Sequence, residues 1–253
     1  MTTPTSHPDC QRPTVAIDGP VASGKSSVGR AAAKALRLRF LDTGIMYRAV
    51  TWLALHRGIA AADTAAVAEL ADKYRMSLDD TADQSPDHGV IAPSSPTTNA
   101  AISIDGHRLR DELVSDDVDR HVAAVAAITG VRTSLVKQQR AIGNGGGIIM
   151  AGRDIGSVVL PQADVKLYID ASVEERARRR FAQLQEADPS VDFQQVLADT
   201  RRRDFLDSQR ADSPLVVPSG AIVIDTDSID FDRSVAAVIH AIRSAVTNHK
   251  QTG

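Results

Sequence analysis

At 253 residues, 43% of them hydrophobic and 24% charged, the chain is long enough to bury a sizeable core and has the charge content of an ordinary soluble protein. A net charge of -3 argues against a general nucleic-acid-binding protein, and no apolar run approaches the length that crosses a bilayer. The single cysteine, Cys10, cannot form an intramolecular disulfide, and the first dozen residues lack a signal-peptide apolar segment, so the expected setting is the cytoplasm.

Residues Met1 to Arg12 read as a loose tail. Val15, Ala16 and Ile17 then favour a strand that runs into Asp18. From Gly19 through Pro20, Val21, Ala22, Ser23, Gly24 and Lys25 to Ser26, with Ser27 beyond, the chain matches G-x-x-x-x-G-K-[ST] at every fixed position. Glycines at 19 and 24 let successive amides point inward at phosphate oxygens, Lys25 adds a point charge, and Ser26 offers a hydroxyl to Mg²⁺. Val28, Ala31, Ala32, Ala35 and Leu36 give the next helix one apolar face, and its N-terminus points its dipole at the same anion. Strand, loop and amphipathic helix come in the order the motif requires, which a plain Gly/Ser turn would not need. This part of the chain is expected to bind a nucleoside triphosphate.

Leu38 to Leu41 read as a second strand ending at Asp42. A helix from about Thr43 carries Met46, Tyr47, Val50, Leu53 and Ala54 and stops at Gly58. Thr43 and Arg48 therefore fall near the carboxyl end of a strand, where open α/β sheets bind ligands. Between Asp63 and Ser115 a short Ala-rich helix gives way to brief β-like runs (Arg75–Leu78, Gly89–Ile91, Ala101–Ile104) separated by polar clusters. That block reads as a small inserted β-rich subdomain, with Gln84 to Asn99 partly loop.

Ser115 is placed to cap a helix carrying Val118, Val122 and Val125, with a break expected at Thr129-Gly130 before a second helix. Ile148 to Ala151 form an apolar strand of the buried parallel kind, leading to Gly152, Arg153 and Asp154. Val165 to Ile169 form another, and Ser172 with Glu175 make a capping box. Two arginine-dense helices follow, bearing Arg176, Arg178, Arg179 and Arg180, then Arg201 to Arg203, Asp207 and Arg210. Ala221 to Ile224 form the last strand, and a helix runs from about Asp230 to Val246. Five short strands mostly separated by helices imply a parallel sheet covered on both faces.

Such a site suits phosphoryl transfer, which needs both reactants positioned and cations placed around the transferring group. Arg48, Arg132, Arg153 and the two later clusters supply guanidinium groups, which grip phosphate bidentately and stay charged. Other pairings are open: Asp154 with Arg153, Asp207 with Arg210, and the i,i+4 pairs Glu174–Arg178 and Glu175–Arg179 on a solvated helix face.

GPVASGKSS at 19–27, LDTGIMYRAV at 41–50, AGRDIGSVVLPQADVKLYIDASVEERARRR at 151–180 and RRDFLDSQRADSPL at 202–215 together resemble the bacterial cytidylate kinase family. The resemblance implies an α/β P-loop kinase: a three-layer sandwich on a five-stranded parallel sheet, with core at 13–62, 116–175 and 211–253. An inserted nucleoside-monophosphate-binding subdomain would span 63–115, and an arginine-rich lid 176–210. The activity implied is transfer of the ATP γ-phosphate to CMP or dCMP, with Mg²⁺, in a monomer that engages neither nucleic acid nor membrane. By matching position, Thr43, Arg48, Arg132, Arg153, Asp154, Arg203, Asp207 and Arg210 would hold the acceptor. Arg48, Arg153 and Arg210 fall on its phosphate, Arg203 and Asp207 on its sugar, and Arg132 and Asp154 on its base. Lys25, Arg153, Arg176, Arg179 and Arg180 would surround the transferring phosphates, and Ser26 would ligate Mg²⁺. Val114, Ala123 and Leu206 stand where the family commonly has polar or basic residues, which bears on base discrimination and on the lid. The other readings are a P-loop kinase for UMP or a hydroxyl metabolite, and a nucleic-acid-associated ATPase. A GTPase switch is disfavoured, since no N-K-x-D occurs.

Overall fold

The computed structural model describes residues 12–78, 102–104, 107–210 and 212–251. The proposed tail up to residue 11, the run Gly89–Ile91 and the loop Gln84–Asn99 lie outside them. Strand β1 (Thr14–Asp18) leads through the Gly-rich loop to helix α1 (Lys25–Leu36), then to β2 (Arg39–Asp42) and α2 (Gly44–His56). Helix α3 (Thr64–Lys73) starts at Asp63, whose carboxylate accepts from the Ala66 amide at 3.1 Å. Three short strands follow, β3 (Met76–Leu78), β4 (Ile102–Ile104) and β5 (His107–Leu109), then a 3-10 turn over Asp111–Val114.

Next come α4 (Asp116–Ala126), with the Ser115 hydroxyl accepting from the Val118 amide, and α5 (Thr129–Gly143). Strand β6 (Ile148–Gly152) is followed by a single π-helical turn, Ile155–Val159, and then by β7 (Val165–Asp170). Helices α6 (Val173–Ala187) and α7 (Phe193–Ser208), strand β8 (Ile222–Asp225) and helix α8 (Phe231–Gln251) complete the described chain.

The central sheet is parallel throughout, in the order β2-β6-β1-β7-β8. Alternation sorts its residues onto two faces, as the two-residue period of a strand requires. Ala16, Leu41, Ile148 and Met150 meet α2, α3, α4 and α5 on one face. Val15, Ile17, Ile149, Ala151, Leu167 and Ile169 meet α1 and α8 on the other. Helices thus cover both faces of the inner strands β6, β1 and β7, which read as near-continuous apolar runs, whereas the edge strand β8 leaves Ile222 and Val223 exposed.

The small sheet is antiparallel, in the order β3-β4-β5. Its Met76, Ile102, Ile104 and Leu109 pack into the same apolar cluster as α2 and α5, so among the described residues it shares the core of the main body.

Four local expectations are corrected. The helix break lies at Ala127–Ile128, because Gly130 is inside α5: a Cβ there would sit 2.6 Å from the Ala68 Cβ, so glycine serves the packing of α5 on α3. Ser172 does accept from the Glu175 amide at 3.3 Å, but the box is half made. The Ser172 amide donates to Asp227 Oδ1 at 2.6 Å, while the Glu175 carboxylate turns to Arg178 and Arg179. Glu174 pairs across to Arg201 on α7 at 2.9 Å instead of with Arg178. The C-terminal helix continues past Val246 to Gln251.

Candidate active site

A cleft of about 840 Å³ opens at the carboxyl ends of β1, β2 and β6, lined by the loop before α1, by α2, α4 and α5, and by the two arginine-rich helices. That is the ligand-binding edge of an open parallel sheet. Residues Val21 to Ser27 line it, whereas Gly19 and Pro20 do not. Gly19 has a steric reason: a Cβ would lie 2.1 Å from the Ile169 carbonyl oxygen. Gly24 has a conformational one, standing as N-cap of α1 with φ 87 in the left-handed region.

Among the described residues helix α1 has no side-chain cap and no acidic residue in its first turn, so its first amides are left for an anion. The buried Ser23 hydroxyl is also without a hydrogen-bond partner among the described residues. Lys25 is 6% exposed and donates from Nζ to the Pro20 carbonyl at 2.9 Å. Burial holds its ammonium well below the ordinary lysine pKa, and the nearby Arg153 adds to the effect. A phosphate here would relieve both. With Ser26 also on the cleft wall, this donor set fits Mg-nucleotide phosphates.

The predicted acceptor residues come from five elements and line the same cleft. Thr43, at the start of α2, is buried and donates from Oγ1 to the Ala151 carbonyl at 3.0 Å. Arg48 on α2 donates to the Leu113 carbonyl at 2.8 Å and pairs with Asp119 on α4 at 2.5 Å. Arg153, just beyond β6, pairs through Nε with Asp207 Oδ2 at 2.9 Å, and Arg210 takes Asp207 Oδ1 at 2.5 Å. One buried carboxylate on α7 thus holds two guanidinium groups. Burial would raise the Asp207 pKa, but Arg153 and Arg210 outweigh it and hold the group below the usual carboxylate range.

Asp154 is not the partner of Arg153. It faces Arg132 on α5, 2.6 Å away, and both side chains are buried. Arg132 also donates to the Ala126 carbonyl at 3.2 Å and lies 5.5 Å from the centre of the Tyr47 ring. Its Nε is buried with no hydrogen-bond partner among the described residues.

The arginines of α6 divide. Arg179 and Arg180 line the cleft. Arg179 reaches the Thr226 hydroxyl at 3.1 Å and the Thr226 carbonyl at 2.6 Å, beside the loop before α1. Arg176 does not line the cleft, which corrects its expected place over the phosphates. It is buried against Asp204, with contacts at 3.0 and 2.6 Å, and donates to the carbonyls of Ala171 at 2.9 Å and Val21 at 3.2 Å. Its donors join α6 and α7 to the phosphate loop. Arg203 on α7 is exposed and lines the cleft.

Three groups that shape the site were not singled out in the sequence. Tyr47 looked like one more apolar position on α2, yet it lines the cleft below Arg132, and burial pushes its phenol up to about 12. Asp119 reads as a helix-start acid and is the partner of Arg48. Asp18 looked like the end of a strand, but it is fully buried and accepts from the amides of Ile155 at 2.6 Å and Gly156 at 2.7 Å. Burial raises its pKa to about 6 despite those bonds. The one sequence signal was a carboxylate directly after the apolar run Val15 to Ile17 of a buried parallel strand. Of the departures noted above, Ala123 and Leu206 line the cleft, while Val114 does not.

A family model described as Cytidylate kinase matches residues 15–244. A cytidylate kinase from Caldanaerobacter subterraneus subsp. tengcongensis is 39% identical over 229 residues, covering 90% of this chain and 94% of that protein. One from Mycolicibacterium paratuberculosis is 43% identical over 238 residues, covering 94% and 96%. A bifunctional pantoate ligase/cytidylate kinase from a Synechococcus strain is 44% identical over 219 residues, 87% of this chain. This chain spans only 38% of the length of that relative. The chain belongs to the cytidylate kinase family.

Proposed function

We propose that this member of the cytidylate kinase family transfers the γ-phosphoryl group of ATP to CMP or dCMP, giving ADP and CDP or dCDP. The observation that carries the reading is one cleft holding two phosphate-binding sets: the uncapped α1 N-terminus with Lys25, and the guanidinium groups of Arg48, Arg153 and Arg210. A hydroxyl acceptor would need no second set.

In this reading the amides from Val21 to Ser27 cradle the donor phosphates, and Lys25 leaves the Pro20 carbonyl for the outer ones. Mg²⁺, held by the Ser26 hydroxyl, would neutralise charge between the donor phosphates. Arg48, Arg153 and Arg210 orient the acceptor phosphate. Its oxygen forms the new bond to the γ-phosphorus as the bond to the ADP oxygen breaks. That oxygen is already ionised at neutral pH, so it needs positioning more than a general base. Arg179 and Arg180 flank the donor side and screen the transferring charge from water, and Arg203 and Asp207 face the sugar. Arg176 acts at one remove, by holding α6 and α7 to the loop.

Asp154, kept in place by Arg132, accepts from the exocyclic amine of cytosine, which uracil lacks. Because Ala123 and Leu206 add no polar group to the cleft, base selection rests on this pair. We read the chain as a cytoplasmic monomer with residues 63–115 as the acceptor-binding insert and 176–210 as the lid. Its mass by light scattering checks the oligomeric state. A coupled ATP assay across the four common nucleoside monophosphates and their deoxy forms tests the activity. CMP and dCMP should lead by at least tenfold, and turnover of none of them would sink the reading.

A further inference from the structure

The donor loop and the turn that follows Arg153 and Asp154 meet at a buried carboxylate that neither set of phosphate ligands uses. The backbone of Asp18 ends β1 and passes directly into Gly19, the first residue of the donor loop. Its side chain points to the neighbouring strand's exit. Oδ1 accepts from the Ile155 amide at 2.6 Å and Oδ2 from the Gly156 amide at 2.7 Å. Those two amides open the π-helical turn that immediately follows Arg153 and Asp154.

Three features show the fit is tight. Asp18 is fully buried. Asp18 and Gly152 are aligned partners in the β1–β6 ladder, so the two loops leave the sheet side by side. A Cβ at Gly156 would lie 3.2 Å from Asp18 Oδ2 and 3.0 Å from the Pro218 Cγ, so glycine lets the carboxylate reach both amides.

We propose that Asp18 is a positioning residue for phosphoryl transfer: it locks the turn bearing Arg153 and Asp154 to the strand that launches the donor loop, and so sets the distance between the two phosphates. The inference rests on the kinase reading above. A purely structural carboxylate would serve the fold without favouring one substrate. This one tethers acceptor residues to donor backbone, so its loss should register on the acceptor. In-line transfer is sensitive to displacements of about 1 Å, which cost on the order of 10²-fold in rate.

The test is Asp18→Asn in the full chain. The amide nitrogen of asparagine faces one of the two N–H groups, so one bond is lost with little change of volume. Steady-state kinetics with CMP are run beside titration calorimetry with Mg²⁺ and a non-hydrolysable ATP analogue. Expected is a fall of at least tenfold in kcat/KM for CMP, with analogue affinity within about twofold of wild type. Wild-type kcat/KM for CMP in the variant overturns the proposal. So does an equal loss of analogue affinity, which would assign Asp18 to the donor loop alone.

If Asp18→Asn does not fold, Gly156→Ala presses on the same contact from the other side. It must then show the same loss on CMP with analogue affinity kept, and any other pattern overturns the proposal. An unmodified chain that turns over no nucleoside monophosphate sinks the kinase reading itself, a result distinct from all of these.

Discussion

The loop before α1 and the guanidinium cluster opposite it share a cleft but are built in contrasting ways. The loop and the first turn of α1 make a run of nine consecutive residues, Gly19 to Ser27, whose proposed ligands are mostly backbone amides, with glycines at 19 and 24 placed by sterics and by a left-handed φ. The cluster draws Arg48, Arg132, Arg153 and Arg210 from α2, α5, the β6 exit and the stretch after α7, each held by a carboxylate from another element. A backbone site is fixed once its local conformation forms. A side-chain site exists only when several elements have docked, and here each cation also needs a counter-ion to hold it ready. Loss of a loop ligand should therefore abolish donor chemistry, while loss of a cluster member should degrade acceptor use by steps.

Lys25→Ala should have the largest effect: a loss on the order of 10²–10³ in kcat with CMP, read in a coupled ADP assay, because the cation proposed to meet the transferring charge is removed. Arg153→Ala should lower kcat/KM for CMP by about 10–100-fold, the scale of a charge-assisted bond. Binding of an ATP analogue by this variant should be unchanged. If it falls in parallel, the division into two sets is wrong.

Asp207→Asn removes the carboxylate that holds both Arg153 and Arg210, and about tenfold in kcat/KM for CMP is expected. Undiminished CMP use would mean that the two arginines need no such holding.

Two buried carboxylates sharpen the contrast through pH. Asp18 has its folded pKa raised from 3.8 to about 6, so the folded state binds the extra proton. Its contribution favours folding most below pH 3.8 and is lost as pH rises through about 6. Asp207 is lowered from 3.8, so its contribution is present above that value and lost as pH falls through the folded pKa. Denaturant unfolding between about pH 2 and 7 should show Asp18→Asn losing the first trend and Asp207→Asn the second, on the order of 1 kcal/mol or more for the buried Asp18. Parallel profiles for the two variants would contradict the assigned environments. The smallest effect is expected for Asp63→Ala, which removes the cap of α3: about 1 kcal/mol of stability with kcat/KM for CMP unchanged.

Much of the fold was legible because it rests on short-range patterns. Apolar runs such as Ile148 to Ala151 announced buried parallel strands, and the motif from Gly19 to Ser26 announced a phosphate loop wherever it stood. Arg176 shows where that kind of reading stops. Among four arginines of one helix, Arg179 and Arg180 face the cleft and Arg178 stays on the exposed side with Glu175, while Arg176 turns inward to Asp204 and the Val21 carbonyl. Helical spacing gives no account of which partner lies behind the helix. Gly130 is a second case, a breaker by composition and a packing contact by position.

What the amino-acid order alone determined is the phosphate-loop pattern on which the proposed donor end rests, since glycines and one lysine within nine residues need no distant partner to be recognised. What only the tertiary structure decided is the pairing of charges: Asp154 with Arg132, Asp207 with Arg153 and Arg210, Asp18 with two amides 137 and 138 residues away. A charge in a low-dielectric interior takes whichever opposite group the packed elements bring within reach, and that choice is made by docking, after the local sequence has had its say.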